Sequence, residues 1–287
     1  MKPAADAVLV FITVIWGVTF VVVKGALGHA DPLTFLALRF TVGAISAVVI
    51  ARRTLIDPAL WKSAAVLGAF LLAGYVLQTF GLVFTSPSRS AFLTGLCVIL
   101  VPFISAVLFR RRLVVAAVVG AAIAVCGLYL LAGAGVSQGT MVGDLLTIGC
   151  AISFAFHISL TERYAARHPA FGLVAAQLVI CAVVFWMMVP FGERRLEPTA
   201  GLWVAVGLTG VLATTVGIGL QTWAQARTSA VRAALVYALE PVFAVAWSSL
   251  TTTEVVGQRE LIGGGLIITG VIVGEVGAAR FTGHAAR

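Results

Sequence analysis

This sequence predicts an all-α membrane protein of ten transmembrane helices, arranged as two five-helix inverted repeats with both termini on the cytoplasmic side. Three observations carry that expectation. The 287 residues are 61% hydrophobic and only 10% charged, with a mean hydropathy of +1.09, far from the balance of a soluble domain. The apolar residues fall in ten runs, each near the ~20 residues that cross a hydrocarbon core of ~30 Å as a helix. Short motifs in the first half also recur in the second.

The runs follow one another with short connections. The first, Ala7 to Leu27, is too long for a signal-peptide core and reads as a retained helix, despite the faint cleavage-like Gly28-His29-Ala30 behind it. Thr13, Trp16, Phe20 and Lys24 lie along one of its faces at three- and four-residue steps. The second run, Leu33 to Ala51, carries Arg39 at a depth of ~9 Å from its start. The third, Ala64 to Phe84, places Tyr75 and Gln78 on a shared face. The fourth, Ser90 to Phe109, contains Pro102 and ends at Arg110-Arg111-Arg112. The fifth, Leu113 to Gly133, includes Gly120 and Gly127.

In the sixth run, Gly143 to Leu160, His157 follows Cys150 and Ser153 on a stripe. The seventh, Phe171 to Phe191, is apolar almost throughout. The eighth, Ala200 to Trp223, ends near Gln221 and Gln225, one turn apart and close to the headgroup region. The ninth, Ala230 to Leu250, holds Tyr237, Glu240 and Pro241. The tenth, Leu261 to Ala279, contains Gly263, Gly270 and Gly274. Ten such spans take up roughly 200 positions and leave no room for a soluble domain.

Charge sets the expected orientation. The net charge is +8, but the basic residues are dispersed over loops rather than massed on a stripe, which argues against a nucleic-acid partner. With the N-terminus inside, thirteen lysines and arginines fall on the cytoplasmic side. Only Lys24, Arg89, Arg194, Arg195 and Arg259 fall outside, so the expected location is a bacterial-type plasma (inner) membrane with both ends cytoplasmic. Cys97, Cys126, Cys150 and Cys181 all lie within apolar runs without a C-x-x-C pair and read as buried structural thiols.

The internal repeat divides the chain at residues 1–137 and 138–287. Thr85-Ser86 opens a run reaching Pro102, and Thr228-Ser229 opens one reaching Pro241. Gly120 and Gly127 correspond to Gly263 and Gly270, and Trp16-Gly17 corresponds more weakly to Phe154-Ala155. An odd number of spans per half makes the second half begin on the opposite side, the arrangement in which a midplane site lies between the halves.

These residues carry a resemblance. WGVTFVVVK at Trp16 to Lys24, Arg39-Phe40, LEPVFAV at Leu239 to Val245 and Glu254 after the ninth run resemble the EamA family of the drug/metabolite transporter superfamily, over essentially the whole chain. The resemblance implies a ten-helix exporter of small metabolites, often amino acids or drugs. Arg110-Arg111-Arg112 stand where that family often shows an acidic end. The first run also lacks the glutamate with which small multidrug-resistance relatives exchange protons, so their coupling is not carried over.

Glu240 is the leading site candidate. Ten residues into its run, it lies ~15 Å deep, where an ionisable group faces a bundle interior or a watery cavity. It reads either as a structural partner of Arg39 or as a substrate or proton site. Arg39 itself reads as that partner, as a substrate contact, or as a cation snorkelling outward. Tyr237 shares the face of Glu240 and ranks second. Trp16 is a cavity wall or ordinary packing. Tyr75 and Gln78 are ligand contacts or interhelical hydrogen bonds. His157, aligned by the repeat with Thr19, is a proton gate or a satisfied donor, with no zinc partners at ligand spacing. Pro102 and Pro241 are expected to supply equivalent bends, one per half.

The glycines of the fifth and tenth runs read first as a close intramolecular contact, leaving a monomer expected, and second as a dimer seam. Gly263-Gly264-Gly265 lacks the setting and lysine of a phosphate loop, so neither nucleotide nor any other cofactor is expected. The substrate-binding set is therefore Trp16, Thr19, Tyr75, Gln78, His157, Tyr237 and Glu240, with Arg39, Pro102 and Pro241 structural or gating. The function expected is secondary export of amino acids or similar small metabolites. A multidrug or nucleotide-sugar carrier is the near alternative. An intramembrane enzyme lacks H-E-x-x-H and G-x-S-x-G motifs, and a channel is the other outsider.

Overall fold

The computed structural model describes residues 3–131, 140–251 and 257–284, and every regular element among them is helical. The helices are α1 (Pro3–Ala26), α2 (Pro32–Ala51), α3 (Pro58–Val83), α4 (Pro87–Gly95), α5 (Cys97–Phe109), α6 (Val115–Leu131) and α7 (Met141–Ala165). They continue with α8 (Ala170–Met188), α9 (Ala200–Leu208), α10 (Gly217–Gln225), α11 (Ala230–Tyr237), α12 (Glu240–Thr251) and α13 (Gln258–His284). Between α9 and α10, residues Thr209–Val216 form two turns of π-helix. Eight segments are long and apolar enough to cross a membrane, accompanied by the shorter apolar stretches Val115–Leu130 and Leu261–Gly274. The chain is an all-helical membrane protein. Glu254 and the boundary between residues 137 and 138 lie outside the described residues.

Turn chemistry starts the helices. Asp31 accepts from the amides of Leu33 and Thr34, with Pro32 as the first helical residue of α2. Asp57 and Pro58 do the same for α3. Ser86 caps α4 by accepting from the Arg89 amide, and Ser229 caps α11 by accepting from the Arg232 amide. The repeated Thr-Ser pairs thus perform the same task in both places. Arg110 ends α5 in the left-handed region at φ 50°, donating its amide to the Ala106 carbonyl.

The fourth and ninth apolar runs are each broken mid-span. The first break falls at Leu96 and the second at Ala238–Leu239. Pro241 occupies the first turn of α12, where its missing N–H costs nothing. Pro102 lies inside α5, more than a turn beyond its break, so the expectation that Pro102 marks the bend is corrected. The two breaks nonetheless correspond, since a helix of nine residues separates the first from its Thr-Ser pair and one of eight residues separates the second.

With lipid outside, burial gives little inter-helix driving force, and close packing and hydrogen bonds decide the arrangement. Val49, Val107 and Leu145 are exposed, as a face turned to acyl chains requires. The closest seam joins α6 to α13. A Cβ placed on Gly120 would stand 2.5 Å from the Gly270 carbonyl oxygen, and one on Gly270 would stand 2.5 Å from the Gly120 oxygen. Only glycine lets these backbones touch. The glycine spacing therefore serves intramolecular packing.

The first helix packs on helices from the C-terminal part of the chain. Gly17 of α1 packs on the Glu240 carbonyl and the Ala244 amide of α12, each 2.9 Å from where its Cβ would be. Asp6 pairs with Arg232 of α11 at 2.8 Å. In turn α7 lies on α3, α4 and α5. Its Asp144 is gripped by Arg89 through two parallel hydrogen bonds, and its Ser159 accepts from Ser105 at 3.1 Å. The first helix at each of these two places thus packs on helices distant from it in the chain.

Candidate functional site

These helices flank a partly open cavity within the bundle. On one side stand Trp16, Thr19 and Phe20 of α1, Gln221 of α10, Tyr237 of α11 and Glu240 of α12. Facing them are Tyr75, Gln78 and Thr79 of α3, Thr94 of α4, Cys97 of α5, and Phe154 and His157 of α7. Arg39 reaches the wall from α2. All seven residues expected to bind substrate therefore meet at one cavity, together with Arg39. Pro102 and Pro241 lie outside that lining.

The π-helix explains how the wall is held. An i→i+5 ladder opens acceptors that an α-helix would occupy. Trp16 donates its indole N–H to the Ala213 carbonyl at 2.9 Å, and its ring lies against Gly217. Thr215 donates to the Gly43 carbonyl of α2 at 2.8 Å. Thr214 donates to the Thr209 carbonyl and accepts from Arg39 Nε at 2.9 Å. One distorted stretch thereby fixes α1, α2 and the guanidinium.

Arg39 is buried at 3% exposure, and its Nη2 donates to the Tyr75 hydroxyl at 3.3 Å while its guanidinium lies 4.6 Å from the Tyr75 ring centre. Among the described residues it forms no ion pair with Glu240. Two of its three sequence readings, an Arg39–Glu240 bridge and a snorkelling arginine, are corrected: a threonine made available by the π-helix and a tyrosine hold the cation inside the protein.

Glu240 is half-buried, and its carboxylate has no hydrogen-bond or ion-pair partner among the described residues. It begins α12, where the helix dipole favours negative charge. Tyr237 is 4% exposed, and its hydroxyl has no partner although it is buried. Its ring meets Trp16 edge-on at 5.4 Å. A buried hydroxyl and a carboxylate without partners, beside two aromatic faces, form a site ready for a donor. Thr19 is less available, because its hydroxyl donates to the Trp16 carbonyl at 2.7 Å.

Across the cavity, Phe154 stacks edge-on against Tyr75 at 5.4 Å. His157 is buried and holds the Gln177 side-chain oxygen at 3.0 Å through Nε2. That is the satisfied arrangement, at a residue that also lines the cavity. Gln78 reaches Thr94 at 3.5 Å, a weak contact. Sequence reasoning missed Thr94, Cys97 and Phe154 as wall residues. Only Phe154 carried a signal, through its alignment with Trp16. Gln221 and Gln225 are both buried within the bundle: Gln221 lines the cavity and donates to Gln225 at 3.0 Å, and Gln225 donates to the Ile158 carbonyl at 2.9 Å. Cys126 is also corrected, since it is exposed on the outer surface, whereas Cys97 is part of the wall.

The family model of EamA-like transporters matches residues 4–133 and again residues 141–274. This chain belongs to that family. An uncharacterized transporter of Archaeoglobus fulgidus is 28% identical over 271 residues, covering 94% of this chain and 85% of the relative. The uncharacterized transporter YoaV of Bacillus subtilis is 23% identical, covering 92% and 94% respectively. A crystal structure of another protein superimposes with a TM-score of 0.80 at 22% identity, covering 98% of this chain and 99% of that one, which establishes a shared fold. EamA-like membership makes this a membrane transporter within the drug/metabolite transporter superfamily, and it places the cavity in the part of the chain that the family model covers.

Proposed function

We propose that this EamA-like transporter is a secondary carrier that exports amino acids or similar small amphipathic metabolites by alternating access. One observation carries the reading: a cavity walled by helices from both family-matched segments holds a carboxylate and a tyrosine hydroxyl, neither with a partner among the described residues, beside two aromatic faces. The ammonium of a metabolite would meet Glu240 and Tyr237, its apolar body Trp16 and Phe154, and a carboxylate the rim of the Arg39 guanidinium. A polyanion such as a nucleotide-sugar would need several inward arginines. Among the described residues Arg39 is the one arginine that lines this cavity, and it is already bonded to Thr214 and Tyr75.

The same reading includes ten membrane crossings, the two shorter apolar helices among them, in two inverted repeats over residues 1–137 and 138–287. Both termini would face the cytoplasm of a bacterial-type inner membrane, as the distribution of basic residues favours. The unit would be a monomer without cofactor, since the α6–α13 glycine seam is already filled within the chain. Counterflow of radiolabelled metabolites in proteoliposomes tests the function. Saturable flux for amino acids or similar metabolites is expected, and no saturable flux across a broad metabolite panel overturns it.

A further inference from the structure

Beyond the cavity, at the two ends of the helices that line it, polar contacts of charged side chains cross between two groups of helices. One group is α1 with the π-helix, α10, α11 and α12. The other is α7 with α3, α4 and α5. At one end, Lys24 of α1 reaches over to the last carbonyls of α3 and the start of the next turn. Its Nζ donates to Leu82 at 2.6 Å, Val83 at 3.2 Å and Thr85 at 3.1 Å. At the other end, Glu162 of α7 accepts from the Ala230 amide at the start of α11 at 2.8 Å, steadied by Arg111 at 2.6 Å.

Lys24 and Glu162 occupy the same place in the two halves. Each stands eight residues beyond its aligned aromatic, Trp16 or Phe154, and therefore ~12 Å along the helix from the cavity centre. Each side chain meets the helix terminus of complementary charge: the ammonium takes carbonyls at a C-terminus, and the carboxylate takes an amide at an N-terminus. Leu82, whose carbonyl Lys24 binds, and Ile158, one turn before Glu162, both line the cavity. The Asp6–Arg232 and Arg89–Asp144 pairs lie within the groups and do not cross.

We propose that Lys24 and Glu162 are the closing contacts of the two mouths, one broken in each half of the transport cycle. This rests on the alternating-access reading above and assigns its moving parts: the bodies that separate are mixed groups, each holding the first helix of the opposite repeat. Opening at the Lys24 end breaks three hydrogen bonds to carbonyls and leaves the Glu162 contact intact, and the reverse holds at the other end.

Cys97 in the cavity wall is a built-in reporter. The test uses the full chain with Cys126, Cys150 and Cys181 replaced by alanine, in sealed vesicles of both orientations, and a membrane-impermeant methanethiosulfonate. Lys24→Met is expected to speed labelling of Cys97 ~10-fold from the face bearing Lys24 and not from the other, as loss of a charge-assisted contact shifts a two-state equilibrium. Glu162→Ala is expected to do the same from the opposite face, while Lys24→Arg labels as the parent does. Lys24→Gln, too short for the three carbonyls, serves if Lys24→Met does not fold. Acceleration from the same face in both variants, or from neither, overturns the proposal. Labelling needs no substrate, so a failed metabolite-flux panel would sink the function reading without deciding this one.

Discussion

Arg39 Nε donates to Thr214 Oγ1 at 2.9 Å, joining α2 to the π-helix across 175 positions of sequence. The contact exists because Thr214 sends its own proton to the Thr209 carbonyl, leaving an oxygen lone pair for the guanidinium. Thr214→Val removes that acceptor without changing shape. It is expected to cost ~2 kcal/mol, the penalty for a buried charged donor left unsatisfied, read as a lower melting temperature in detergent. Thr214→Ser keeps the oxygen and should melt close to the parent. Equal melting of the Val and parent proteins would show that the bond contributes nothing.

Trp16 is anchored by its indole N–H to Ala213 and by its ring edge to Tyr237. Trp16→Phe loses the hydrogen bond but keeps a ring, and is expected to cost ~1 kcal/mol of stability. Trp16→Ala also removes the aromatic face, and should raise KM for a transported aromatic or apolar solute ~5-fold, from the ~1 kcal/mol of a ring contact. Flux measured over a substrate series separates the two effects.

Glu240 makes no hydrogen bond to the described residues, so replacing it disturbs no internal contact. Glu240→Gln should fold and insert normally, yet lower transport by ~30-fold or more, as expected for a desolvated charge contact of ~2 kcal/mol. Parent rates in this variant would remove Glu240 from the mechanism.

The glycines of α13 divide sharply by position. Gly270→Val drives side-chain atoms into the Gly120 carbonyl and should destabilise by ~3 kcal/mol or more. Gly265→Ala meets nothing within 4 Å and should stay within ~0.5 kcal/mol of the parent. Paired melting curves check the contrast, and transport per folded molecule should be unchanged in both.

Much of this arrangement is legible in the residues themselves. Long apolar runs between capping and proline signals mark the helices because a bilayer imposes one length on each. The cavity candidates stand out because a polar group in an apolar run needs a reason to be there. The break at Leu96 is different: nothing at that leucine announces it, and Pro102 draws attention to the wrong turn. The π-helix is equally silent, since Thr209–Val216 is an unremarkable mixture of threonine and aliphatic residues. Charge alone suggests Glu240 as one partner for Arg39, whereas Thr214 and Tyr75, which it bonds, are neutral and distant in the chain. Gln221 looked like a boundary residue because its run is apolar all round, leaving no periodicity to tell an inward face from an outward one.

The glycine seam between α6 and α13 has a consequence for assembly. It joins the last helix of one family-matched segment to the last helix of the other, away from every wall residue of the cavity. Two polypeptides severed between those segments would each still carry one complete side of the zipper. Co-translated fragments should therefore find one another in the bilayer and reconstitute the carrier without a covalent link.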